Sequence, residues 1–134
     1  MIEEQQNIRT KIVIICINIS VALLHFLTGP GYAGPFRAFV NGYLLDLLIP
    51  FAWYFLLILP EQKVKLLNPW YIKSALVFAV GAGVEIAQFF GVPLFGRTFD
   101  PLDFVMYGVG GILAAICDRL LFPKIFNFRP TEKN

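Results

Sequence analysis

Residues 68–90 read NPWYIKSALVFAVGAGVEIAQFF. Asn68 followed by Pro69 is a helix-start signal, an N-cap residue ahead of a proline at the first helical position. From Ser74 to Val84 no ionisable side chain interrupts the run, and Gly91-Val92-Pro93 closes it. About 20 apolar residues suffice to cross ~30 Å of hydrocarbon, so the stretch predicts a transmembrane helix over 69–90. It carries one carboxylate, Glu85, in its last third.

Three more apolar runs flank it, predicting helices over about 10–27, 39–59 and 101–122. A Gly/Pro loop (28–35) follows the first, and the second stops before Pro60-Glu61. Asp100-Pro101 repeats the start signal ahead of the last, which ends before Pro123 and a polar tail. The predicted fold class is all-α: an integral membrane bundle of four transmembrane helices, in a single domain over residues 1–134. Composition agrees. Of 134 residues 57% are apolar and 15% charged, with a mean hydropathy of +0.69. A soluble domain carries about 25% charged residues, so much of this surface is expected to meet lipid.

The first run follows Arg9 and Lys11 as a signal peptide would, but Glu3 and Glu4 stand in the same tail and no A-x-A site follows Leu27. It reads as a retained helix. Cys16 and Cys117 fall inside apolar runs and read as small buried hydrophobes, not as a disulfide framework or metal motif.

Lys and Arg in short loops set orientation. Arg9, Lys11, Lys63, Lys65, Lys73, Arg119, Lys124, Arg129 and Lys133 would lie on one face, with only Arg37 and Arg97 on the other. This split of nine to two predicts a multi-pass protein of the bacterial cytoplasmic membrane with both termini in the cytoplasm.

That topology gathers the unexpected polar residues in the outer half. Asp46 and Glu85 lie five to seven residues deep, on the order of 10 Å at 1.5 Å per residue. Gln88 shares the face of Glu85, while Arg37, Asn41, Arg97, Asp100, Asp103 and His25 cluster at or above the outer helix ends. A charge at the bilayer centre costs about 2.5–3.5 kcal/mol on insertion scales. The acids therefore call for partners, and the arginines, whose forks hold carboxylate or phosphate, are the cations at hand. Plainer readings stand beside this. Asp100 fits an N-cap and Asp103 a capping-box acid. Glu85 with Gln88 fits interhelical glue, Asp46 a simple pair with Arg37, and Asp118-Arg119 a solvated pair. Pro50 cannot donate to the Asp46 carbonyl, which predicts a kink there. Ala75, Ala79, Gly83 and Ala87 form a small-residue ridge opposite Glu85, and Asp103, Tyr107, Gly110, Gly111 and Ala114 share one face of the last helix.

Glu85-x-x-Gln88, then Gly96-Arg97-x-x-Asp100-x-x-Asp103, then Gly110 and Gly111, resembles the VanZ-like family of small bacterial membrane proteins. Arg37-x-x-x-Asn41 and the apolar run to Pro50-Phe51 extend the resemblance over most of the chain from the second helix onward. Tyr107 stands where members usually have Asn. The resemblance implies a cell-envelope role, with low-level resistance to the glycopeptide teicoplanin as the family's associated phenotype.

The favoured function is binding of an anionic lipid or cell-wall precursor head group at an outer-leaflet polar site. Arg37 and Arg97 would contact phosphate. Asp46, Glu85 and Asp103 would orient the arginines or hold a cation, with Gln88 and Asp100 behind them. The implied partners are membrane lipids and a lipid-linked precursor, with no nucleic acid. An enzyme acting on a lipid phosphate is the alternative, with a divalent cation held by Glu85 and Asp103. There is one histidine and no HExxH, Walker or GxSxG motif, which leans against enzymes of those types. A transporter would need a polar path to both faces, which a homo-oligomer could supply, and an assembly protein would use the cluster only to lock the bundle. Reporter fusions at Gly31 and Asn134 are expected to report opposite sides of the membrane; same-side signals would overturn the topology.

Overall fold

The computed structural model describes residues 2–28, 31–94 and 99–125. Among them every regular element is helical. The chain runs α1 (Ile2–Leu27), α2 (Arg37–Gly42), α3 (Leu44–Leu56), a 3-10 turn at Lys65–Leu67, α4 (Trp70–Phe89) and α5 (Pro101–Ile116). A π-helical segment, Cys117–Leu121, joins α5 to α6 (Phe122–Ile125). Three helical spans are long and apolar enough to cross a membrane: Glu4–Leu27, Trp70–Phe89 and Pro101–Lys124.

The expected helix over 39–59 is divided. Its apolar part, α3, has 13 residues and covers about 20 Å at 1.5 Å per residue, short of the ~30 Å of hydrocarbon. The break falls at Tyr43 (φ −130°, ψ −18°), and the helix is continuous through Pro50. Gly42 is the weakest helix former in this part of the run, and Tyr43 is held by a tertiary bond, its hydroxyl donating to Asp100 Oδ2 at 3.1 Å. At the other end Leu57 to Lys63 form turns around Pro60. α1 instead begins earlier than expected, taking Glu4 to Arg9 into the helix. α4 starts at Trp70 with Pro69 as its N-cap. Asn68 makes no side-chain cap; its carbonyl accepts from Lys73 at 3.1 Å and from Arg119.

α5 is the central element, packed on α3 and on α4, while α1 packs chiefly on α3. Two adjacent glycines make this possible. A Cβ on Gly110 would lie 2.1 Å from the Leu47 carbonyl oxygen of α3, and one on Gly111 would lie 3.2 Å from Val77 Cγ2 of α4. Close backbone approach through small residues is how apolar helices associate when lipid removes the hydrophobic drive between them. Gly81 clears space in the same way, since its Cβ would stand 2.6 Å from the Tyr107 ring. The shared face of Asp103, Tyr107, Gly110, Gly111 and Ala114 is buried as expected. The ridge of Ala75, Ala79 and Gly83 is not: it is exposed, and a Cβ on Gly83 meets nothing within 4 Å. α4 presents Ser74, Val77 and Gly81 to α5 instead, which brings Glu85 round to the same side. α1 is the barest of the three long spans, with 6% of its apolar window buried and Ile12, Ile15, Ile19 and Leu23 more than half exposed. Ile14 alone on α1 enters the main core, with Tyr54, Phe55, Val77 and Ala114.

Asp118-Arg119 is not the solvated pair expected from sequence. Asp118 is fully buried and accepts from the Tyr54 hydroxyl at 2.7 Å, with Arg119 Nε 3.6 Å away. Lys73, also fully buried, pairs with Glu61, donates to the Leu67 carbonyl at 2.8 Å and lies 5.3 Å over the Tyr54 ring. The turn around Pro60 folds back to bring Glu61 to Lys73, and the π segment begins just before Asp118, where a local register shift can redirect a side chain.

Gly110→Ala forces a methyl against the Leu47 carbonyl, and overpacking of this kind costs about 1–3 kcal/mol. The thermal midpoint in detergent should fall accordingly. Gly83→Ala should leave it unchanged or slightly higher, because the helix interior favours Ala. An undiminished midpoint for Gly110→Ala would contradict the close approach of α5 to α3.

Candidate functional site

Residues of α1, α3, α4 and α5 line an open cavity of about 720 Å³. One part of its wall is apolar, including Val21 of α1, Trp53 of α3 and Val77, Val80 and Val84 of α4. The other part is polar, with Asp46, Glu85, Asp103, Tyr107, Gln88, Asn41 and His25. α1 and α4 face one another across this space, each held to the bundle through its other neighbours.

Each acid is positioned by a distinct local feature. Asp46 sits in the first turn of α3 and Asp103 in the first turn of α5, where helix dipoles and free N–H groups favour negative charge. Glu85 is in the last part of α4 and is almost completely buried, 1% exposed. Tyr107 ties them together: its hydroxyl lies 3.1 Å from Glu85 Oε1 and 3.3 Å from Asp46 Oδ1. Its one proton can serve one of these acceptors at a time. Asp103, one turn before Tyr107, lies within electrostatic reach of both Asp46 and Glu85.

The start of α5 departs from the expected capping pattern in an informative way. Asp100 is the N-cap, accepting from the Leu102 N–H at 2.9 Å. In a capping box the acid at the third helical position would accept from the N-cap's own N–H. Here that N–H donates across to Glu85 Oε2 at 3.2 Å. Glu85 of α4 has taken the place of Asp103, and Asp103, 8% exposed, keeps a buried Oδ1 with no hydrogen-bond partner. Gln88 donates to the Leu94 carbonyl at 2.7 Å, and its buried Oε1 is likewise without a partner.

The sequence-predicted residues therefore separate. Asp46, Glu85, Gln88 and Asp103 share the cavity wall, with Asp100 joined to them through its N–H and through Tyr43. Arg37 is exposed on α2 and is not part of the wall; it lies one turn before Asn41, which is. The ion pairs among the described residues are Lys73–Glu61 and Arg119–Asp118, so Asp46 is not paired with Arg37. Arg97 lies outside the described residues. Among the described residues no group of three or more His, Cys, Asp or Glu side chains is arranged to hold a metal ion, so Glu85 and Asp103 are neighbours in a hydrogen-bonded cluster without further ligands of that kind. Tyr107 and Tyr43 are the contributors that sequence reading missed as hydroxyl donors. Tyr107 was legible as a face-mate of Asp103 four residues on; nothing in the sequence marks Tyr43.

Tyr107→Phe keeps the ring against Gly81 and removes the hydroxyl donor shared by Asp46 and Glu85. Loss of a bond that leaves buried acceptors unsatisfied costs about 1–3 kcal/mol, to be read as a lower thermal midpoint in detergent. A midpoint equal to that of the unaltered protein would show that the bridge contributes nothing. No family model, curated protein or solved structure matches the chain, and the reading of the site rests on its own geometry.

Proposed function

We propose that this is a VanZ-like membrane protein of the bacterial cell envelope that binds the head group of a membrane lipid or lipid-linked cell-wall precursor. The observation that carries the reading is the mixed lining of the cavity, with apolar residues of α1, α3 and α4 along it and polar residues gathered where α3 and α5 start and α4 ends. Such a wall suits an amphiphile: chains have apolar surface to cover, and a head group has hydrogen-bonding groups to meet. In this reading α2 and α3 together make a fourth crossing, the positive-inside pattern keeps both termini in the cytoplasm, and the polar end faces the outer leaflet.

Arg37, at the rim one turn from Asn41, and Arg97, close in sequence to Asp100, are the groups proposed to contact phosphate, by bidentate bonds that an Arg fork favours. The resemblance carried by Glu85, Gln88, Arg97, Asp100 and Asp103 supports the envelope setting, and reduced teicoplanin susceptibility on expression is the corresponding phenotype.

Native mass spectrometry of the purified protein is expected to show a retained phospholipid or polyprenyl phosphate that is lost in Arg97→Ala while the fold persists. Lipid-poor spectra for both proteins, or equal retention, would count against the head-group site.

A further inference from the structure

We infer that the carboxyl end of the cavity, formed by Asp46, Glu85 and Asp103, takes the primary ammonium group of an amphiphile's head. This rests on the head-group reading above and specifies its chemistry: a lipid whose phosphate meets arginine at the rim while its amine enters the cluster.

The argument is one of donors and charge. Three carboxyl groups share this space, with Asp103 in hydrogen-bonding contact with Glu85 and Asp46, and among the described residues the donors from outside the trio are the Tyr107 hydroxyl and the Asp100 N–H. Asp103 adds an independent sign. It is more than nine-tenths buried, lines the cavity and has an Oδ1 with no partner, because Glu85 occupies the N–H that a capping-box acid would take. The buried Oε1 of Gln88, on the same wall, is a second acceptor without a donor. Among the described residues no lysine or arginine lines the cavity. A site rich in acceptors and poor in donors is complementary to a group that has only donors. An ammonium offers three N–H bonds and one positive charge, and charge-assisted bonds to carboxylate are about twice as strong as neutral ones. A phosphate in the same place would meet like charge. The apolar wall at Val21, Val80 and Val84 fits an amine attached to chains better than a small water-soluble amine.

The test compares lipids of equal chain length on the purified protein by native mass spectrometry: phosphatidylethanolamine, its N-acetylated form, which keeps the phosphate and loses the ammonium, and phosphatidylglycerol. Phosphatidylethanolamine is expected to be retained about tenfold or more over the other two. The preference should collapse toward parity in Asp103→Asn and in Asp46→Asn, with thermal midpoints reporting that the variants are folded. Equal retention of all three lipids by the unaltered protein would overturn the inference while leaving the head-group site intact; retention of none would remove both. Free ethanolamine competing as well as the lipid would overturn the assignment to an amphiphile.

Discussion

Gly110 lets the backbone of α5 come against the Leu47 carbonyl of α3, and the geometry of the carboxyl cluster is downstream of that approach. Leu47 follows Asp46 directly, and Tyr107 and Asp103 lie one and two turns before Gly110 on the same face of α5. With the backbones in contact, a tyrosine hydroxyl spans to both Asp46 and Glu85. Any side chain at residue 110 would push the helices apart and lengthen those bonds first. Gly81 is the complementary concession on α4, since the Tyr107 ring occupies the space a side chain there would need. Gly111, turned toward α4, completes a set in which one helix is fitted to two neighbours by the absence of side chains.

The two ends of the bundle treat charge in opposite ways. At one end Lys73 and Asp118 are fully buried, and every charge there has named company: Glu61, Arg119, the Tyr54 hydroxyl and the carbonyls of Leu67 and Asn68. Buried ionic groups of this kind hold geometry more than they add stability, and these join α3, α4, the π segment and the intervening turn. At the other end acids gather, and among the described residues of the cavity wall there is no lysine or arginine. What favours them is the pair of helix N-termini at Asp46 and Asp103, supplemented by one hydroxyl and one backbone N–H. The same protein thus contains a network built on ion pairs and one built on hydrogen bonds among acids, and among the described residues only the second lines the cavity.

How much of this was legible follows from the kind of signal each feature leaves. The helices over 69–90 and 101–122 were readable because apolar runs, Pro-based starts and Gly/Pro ends are local. Asp100 as N-cap was readable for the same reason. The break at Tyr43 was not, because it is fixed by a bond to a residue far along the chain. The burial of Lys73 and Asp118 was hidden by their position near helix ends, where charged residues are ordinarily solvated. The substitution of Glu85 for Asp103 at the Asp100 N–H lies wholly in tertiary structure: both residues fit capping and glue patterns separately, and only the fold shows which one makes the bond.

The cavity itself bears on the choice between a structural cluster and a binding site. Interiors pack to a density near that of organic crystals, and an opening left between helices forgoes the packing contacts that would fill it. A cluster meant only to lock helices together would be served best by closing α1 onto α4 and leaving no space. Here α1 is held mainly by α3, and α4 by α5 and α3, so each helix keeps its main neighbours while the space between α1 and α4 stays open. The space is then free to hold something other than protein. Water would satisfy the carboxyl end but not the valine-rich wall, and an alkane would do the reverse. An amphiphile with a donor-bearing head meets both at once, which is why the head-group reading accounts for the cavity's position as well as for its lining.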